Sequence, residues 1–284
     1  MKQRSWKKAL WTMLCMAFLC TFWTMTVQAG SVTELCTYSS KKTVFSKDIT
    51  GDGKADRIAV IPKKNKDNYV SRIQVYINGK KALDQNTNCI SYGVTVKYIY
   101  MSKNRTFLQI HTHGDSSYVG YNGIFKSNKK GTKLTCVLDL GNFCIDGGEV
   151  ISATAKEIKV RFTEQPGETG WLFWNFTYKY TGSKFKLKSN TASIKSSLTR
   201  GTDACSKLLK QNKFRAMKSL TFYKKTDLRT VSFTAKDGDI LTLKKVKINN
   251  GYMYLQFKKG SKTGWQRVKQ GINWFYGITG KLAG

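Results

Sequence analysis

The chain has 284 residues, of which 49 are Lys or Arg and 17 Asp or Glu, for a formal net charge of +32. Its 40% hydrophobic and 13% aromatic content and only two prolines exclude a disordered chain, and 24 glycines without a fixed period exclude a collagen-like one. So large a positive excess draws the chain to anionic polymers and disfavours cationic partners.

Residues 2–8 hold Lys2, Arg4, Lys7 and Lys8, an apolar run extends from Ala9 to Val27, and Val27-Gln28-Ala29 places small residues just before Gly30. This is the order of a secretory signal peptide over residues 1–29. The run is about 19 residues long, so an uncleaved N-terminal anchor stays open as the alternative. Ala17-Phe18-Leu19 before Cys20 lacks the small residues expected ahead of a lipidated cysteine. No second long apolar run follows, so no transmembrane segment is expected after cleavage, and the expected location is secreted or cell-surface. Cleavage lowers the net charge from +32 to +28 and leaves Cys36, Cys89, Cys136, Cys144 and Cys205. An odd set allows at most two bridges. Cys136 and Cys144 are near enough in sequence to close a short loop; the alternative is that all five are buried as small apolar side chains.

From residue 30 onward the period is two, which predicts a mainly β protein. Arg57–Ile61 and Ser71–Ile77 read as strands, with Asn78-Gly79 as a hairpin turn into Lys81–Leu83. Val94–Tyr100, Thr106–His113, Lys133–Leu140, Glu157–Phe162 and Gly170–Tyr180 continue the pattern, with Gly, Asn, Asp and Ser between them. Residues 30–190 are therefore expected to form an antiparallel β domain, either a propeller fragment or sandwich-like. Residues 191–212 read as a linker, rich in Ser and Thr at Thr191–Arg200, with one or two helical turns in Cys205–Lys213. Residues 213–284 resume the alternation at Leu220–Tyr223, Thr230–Thr234, Ile240–Lys247, Tyr252–Phe257 and Trp265–Val268, with turns at Asp237-Gly238 and Asn250-Gly251. Five short strands in about 70 residues suit a small closed barrel. Trp274-Phe275-Tyr276 is expected to pack onto this domain, because an exposed aromatic cluster invites aggregation.

One short segment has metal-loop spacing. In Asp48-Ile49-Thr50-Gly51-Asp52-Gly53-Lys54-Ala55-Asp56, oxygen side chains fall at positions 1, 3, 5 and 9, Gly53 stands at the sharp turn, and the Lys54 carbonyl is available at position 7. Calcium takes six or more oxygens, which alternate residues of a tight loop supply. Ala59 occupies the place where an EF-hand needs its bidentate Glu. Followed directly by a strand, the segment resembles the calcium loop of FG-GAP (integrin-propeller-like) and VCBS-type repeats. That resemblance covers about 15 residues, and a single copy does not build a propeller. It implies a structural calcium ion held by Asp48, Thr50, Asp52, Lys54 and Asp56; the alternative is a glycine-rich Asx turn without an ion.

At the C-terminus, Phe222-Tyr223-Lys224-Lys225, then Ala235-Lys236-Asp237-Gly238-Asp239-Ile240-Leu241-Thr242-Leu243, the hairpin strand Tyr252–Phe257, and Gly264-Trp265-Gln266-Arg267-Val268 follow in a recognisable order. Over about 60 residues this resembles a bacterial SH3 (SH3b) domain. The resemblance implies a small five- to six-stranded barrel of secreted and envelope proteins, many of which bind cell-wall peptide or glycan. Tyr223, Tyr252, Tyr254 and Trp265 are the candidate ligand-binding residues, their rings flanked by Lys and Arg. The opposing reading puts Trp265 and alternate aromatics in the barrel core. Tyr252 and Tyr254 share one strand face and are expected to be both inside or both outside.

Other chemistry finds little support. His111 and His113 share a strand face, but zinc sites have HExxH or paired CxxC spacing. Asp203-Ala204-Cys205-Ser206 faintly resembles the nucleophile segment of secreted cysteine peptidases, yet no histidine follows position 113 to activate the thiol. No G-x-S-x-G, phosphate loop or dinucleotide fingerprint is present. After cleavage Lys outnumbers Arg by 37 to 8, whereas nucleic-acid readout favours clustered Arg, so nucleic acid is not an expected partner. The expectation is a non-catalytic, secreted, envelope-associated protein whose SH3-like module attaches it to cell-wall peptidoglycan, an anionic envelope polymer or a partner. The competing expectation is a cell-wall hydrolase, or another envelope enzyme, targeted by that module.

Overall fold

Alternating apolar residues become strands because side chains leave a strand on opposite faces, and each apolar face needs a covering layer. The computed structural model describes residues 30–87, 90–114, 119–141, 147–197, 203–269 and 273–278. The expected signal segment 1–29, with Cys89 and Cys144, lies outside them. The N-terminal half runs β1 (Ser31–Ser39), β2 (Thr43–Lys47), β3 (Asp56–Lys64), β4 (Val70–Ile77), β5 (Lys80–Asn86), β6 (Ser91–Ser102), β7 (Arg105–Gly114), β8 (Val119–Ser127), β9 (Leu134–Asp139), β10 (Gly148–Ala153), β11 (Glu157–Glu164), β12 (Leu172–Tyr180) and β13 (Phe185–Leu187). There follow β14 (Thr191–Ser197), α1 (Asp203–Leu209), β15 (Lys213–Arg215), β16 (Leu220–Tyr223), β17 (Val231–Ala235), β18 (Ile240–Asn249), β19 (Tyr252–Lys259) and β20 (Lys262–Arg267). The mainly β class expected from the period is the class observed.

Three antiparallel sheets stack face to face. Strands β2-β3-β4-β5 form a four-stranded meander, and β1-β6-β7-β8-β9 form the middle layer. The third sheet runs β10-β11-β12-β14-β18-β19-β20-β16-β17, with β13 on β12 and β15 on β18. Val94, Val96, Tyr98, Leu108 and Ile110 of the middle layer pack on Ile58, Val60, Ile73 and Val75 of the meander. Its other face sends Ile99, Met101, Phe107 and Ile124 into a second core with Val160, Phe162, Trp174 and Phe176. Burial on both faces means that polar residues of β6 and β7, among them Thr95, Lys97, Gln109 and Thr112, are buried along with the apolar ones. In the hairpin between β4 and β5, Asn78 and Gly79 both take positive φ (50° and 80°), the conformation that an Asn-Gly turn accommodates.

The second core extends without a break from Ile99 to Ile278 and includes Phe214, Phe222, Phe257, Trp274 and Phe275. The segment 191–212, expected as a linker, carries β14 and α1, and β14 pairs with β12 on one side and β18 on the other. The expected C-terminal barrel does not close. The edge of β18 away from β19 is taken by β14 and β15, so β17 ends an open sheet rather than meeting its first strand. Trp274 and Phe275 pack into the core, Phe275 bridging to Ala216, while Tyr276 stays exposed. Among the described residues, no helix is long and apolar enough to cross a membrane.

Candidate functional site: an aromatic and basic sheet face

Alternation in the C-terminal strands separates two faces cleanly. Leu220 and Phe222 of β16, Leu241, Leu243 and Val246 of β18, and Leu255 and Phe257 of β19 point into the core. Gly264 lies on that inner side opposite Phe257, where a Cβ would come within 2.6 Å of the Phe222 Cβ. A glycine therefore lets β20 lie close to β16, and the next residue, Trp265, turns to the outer face.

The four aromatic residues singled out in the sequence all lie on that outer face. Tyr223 of β16 is directly opposite Trp265 of β20, and Trp265 is opposite Gln256 of β19. Tyr254, two residues before Gln256, is opposite Arg267 on one side and Lys247 on the other. Tyr252 pairs with Asn249, and the Arg267 guanidinium stands over its ring, 4.7 Å from the centroid. Tyr223 and Trp265 are half-buried. Placing Trp265 in the core is thus corrected: its neighbours Gly264 and Gln266 face inward instead. The equal exposure expected of Tyr252 and Tyr254 is corrected as well. They share a face, but Tyr252 is 50% exposed and Tyr254 only 8%, because Tyr254 lies in mid-strand between Lys247 and Arg267. Arg267, Lys247, Lys245 and Gln256 were not singled out in the sequence. The alternation around Trp265 marks Arg267 as its same-face neighbour, but the two lysines join the face only through pairing with β19.

Among the described residues, most basic side chains take part in no ion pair: the pairs involve Arg72, Lys81, Lys97, Arg161, Lys188 and Lys259 and no other Lys or Arg.

The loop Asp48–Asp56 enters β3 and is fastened by its own carboxylates. Asp48 accepts N–H bonds from Gly51 (2.6 Å) and Gly53 (2.9 Å), and Asp52 accepts one from Lys54 (2.8 Å). Asp56, 4% exposed, accepts four: from the N–H groups of Ile49 (2.9 Å) and Thr50 (3.0 Å), the Thr50 hydroxyl (3.0 Å) and the Asn78 amide (2.7 Å). Three of these bonds fall on Asp56 Oδ2 and one on Oδ1, so Oδ2 is fully used, whereas Asp56 Oδ1, Asp48, Asp52, the Thr50 oxygen and the Lys54 carbonyl keep acceptor capacity. Below the loop, the Tyr98 hydroxyl donates to the Asp48 carbonyl at 2.7 Å, and burial raises that phenol well above its ordinary range. No group of three or more His, Cys, Asp or Glu side chains is gathered as a metal shell among the described residues.

A polar cluster lies between the middle layer and β10–β11. His111 and His113 lie with ring centroids 4.4 Å apart, and His113 Nε2 is 2.6 Å from the Thr95 hydroxyl. Burial, reinforced by the neighbouring His113, pushes His111 down to about 3, and burial lowers His113 too, so both rings are neutral at pH 7. Burial favours a neutral Glu149, but the hydrogen bonds and charges of Lys97 and Arg161 outweigh it and hold the carboxyl below its usual range. Gln109 and Asn122 share the Gly148 carbonyl, at 2.6 and 2.8 Å. Cys36, Cys136 and Cys205 are free thiols, and burial raises the first two. The proposed Cys136–Cys144 loop involves a residue outside the described ones.

The chain matches no family model, no curated protein and no solved structure.

Proposed function

We propose that this protein is a non-catalytic, secreted or cell-surface component of the envelope that binds cell-wall material through the outer face of β16-β20-β19-β18, the part of the chain that resembles SH3b. The observation carrying the reading is the register itself: Tyr223, Trp265, Tyr254 and Tyr252 share one face with Arg267, Lys247 and Lys245. The exposed Tyr252 and the half-buried Tyr223 and Trp265 present ring surface to sugar or peptide, and the cations beside them attract carboxylates and phosphates. The unpaired lysines elsewhere add a diffuse attraction to anionic envelope polymers. A calcium ion at the Asp48 loop would be held by Asp48, Thr50, Asp52, the Lys54 carbonyl and Asp56. Asp56 would also close the loop through its hydrogen bonds, and the ion's role would be structural.

The competing reading, an envelope hydrolase, draws on the cluster of His111, His113 and Glu149. Incubating the chain with purified Gram-positive wall separates the two. Sedimentation with the wall at constant turbidity supports binding without catalysis, and progressive loss of turbidity favours the hydrolase.

A further inference from the structure

The return from β12 to β18 contains a register defect. Tyr178 pairs with Leu187, and Trp174 pairs with Ile194. Four steps along β12 are matched by seven on the returning chain, so the intervening residues bow away from β12 as an enlarged bulge. Their outer edge is held by β18: Thr191 pairs with Lys247, Ser193 with Lys245, and the Ile248 N–H donates to the Asn190 carbonyl at 2.9 Å. Between β12 and the bulge opens a cleft of about 340 Å³, within the range of small-ligand sites.

Polar Lys159, Asn175, Thr177, Lys188 and Ser193 line it together with Phe176 and Ala192. The side chains of Lys159, Asn175, Thr177 and Ser193 make no hydrogen bond or ion pair with the described residues, while Lys188 is paired with Glu157 at 2.8 Å. Unused hydroxyl, amide and ammonium groups around one opening suit a ligand that carries both hydroxyls and negative charge. Phe176 is only 2% exposed, its ring turned into the core, so it offers no open face on which a sugar ring would stack.

We infer that this cleft binds a phosphate-bearing polyol unit of an anionic envelope polymer. The inference rests on the functional reading above, because Thr191 and Ser193 stand directly beside Lys247 and Lys245 of the aromatic face. A polymer lying along that face reaches the cleft without leaving the sheet.

The test uses the full chain and poly(glycerol phosphate) as the probe, at about 0.15 M salt, where exposed charges more than roughly 8 Å apart are largely screened. Lys159→Gln with Thr177→Val removes one charge and one hydroxyl from outward positions and should weaken binding about tenfold, the scale of one or two lost polar contacts. Far-UV circular dichroism should be unchanged. If this double variant binds like the parent while Tyr252→Ala with Arg267→Ala loses the probe, the cleft assignment is overturned and the functional reading stands. Retention of purified wall without retention of the probe also overturns the assignment. If the parent retains neither, the functional reading fails and the cleft assignment fails with it.

Discussion

Replacing Asp56 with Asn tests whether the Asp48–Asp56 loop is closed by that carboxylate. An Asn that keeps its carbonyl toward Ile49 and Thr50 turns its own amide N–H toward the Asn78 amide, which now donates to Asp56 at 2.7 Å. Asn78 cannot flip to accept without cost, because its oxygen already accepts the Arg57 N–H at 2.8 Å. One buried bond is therefore lost outright, at about 1–3 kcal/mol. The three bonds that remain fall from charge-assisted to neutral strength, at roughly 1 kcal/mol each. Allowing for relaxation, the expected loss is about 3–5 kcal/mol, or a fall of about 10 °C in Tm for a chain of this size. Asp52→Asn is the control, since Asp52 is exposed and accepts a single hydrogen bond among the described residues, and it should change stability by less than about 0.5 kcal/mol. Urea denaturation of the three proteins measures both values. A loss below about 1 kcal/mol for Asp56→Asn would refute the claim that this carboxylate closes the loop.

Calcium at a concentration 100 times its dissociation constant should raise the stability of the parent by about 2.7 kcal/mol, reversed by chelator; an unchanged Tm across a calcium titration would leave the loop standing on its hydrogen bonds alone. His111 takes up no proton in the folded state until the pH nears 3, whereas the unfolded chain binds one near 6.5. Stability should therefore fall by about 1.4 kcal/mol per pH unit, for this one proton, as pH drops from about 6 toward 4. His111→Gln should flatten that slope in denaturation curves measured across the same interval, and an unaltered slope would count against the burial argument. Gly264→Ala places a Cβ 2.6 Å from the Phe222 Cβ and should cost about 1–3 kcal/mol in thermal denaturation; a neutral substitution would mean that β20 shifts freely over β16.

The strands with strong alternation were legible because burial and period agree. Ser71–Ile77 and Glu157–Phe162 lie within β4 and β11, and Leu220–Tyr223 coincides with β16. β1 and β2 were not legible, since their positions are mostly exposed or half-buried and show no clean apolar row. β14 was masked by Ser and Thr, which suggest a linker, although its place in the sheet comes from backbone pairing on both sides. That same non-local pairing keeps the barrel open, and no local motif encodes it. Tyr223, Tyr252, Tyr254 and Trp265 were found because the residue order carries them; their common face then follows from register. The cleft beneath the bulge was beyond reach, because it depends on the unequal residue count between Tyr178–Trp174 and Leu187–Ile194, which only the paired strands reveal.

The central claim is that the outer aromatic face recognises wall material beyond what net charge provides. The most direct measurement is a binding isotherm of the full chain on purified Gram-positive wall at low and at about 0.5 M salt, beside Tyr252→Ala with Arg267→Ala. At high salt, where diffuse lysine attraction is screened, the parent should stay bound and the variant should bind at least tenfold more weakly, as expected when central aromatic and arginine contacts are truncated. Release of both proteins together at high salt would contradict the account and leave the positive charge as the whole of the binding.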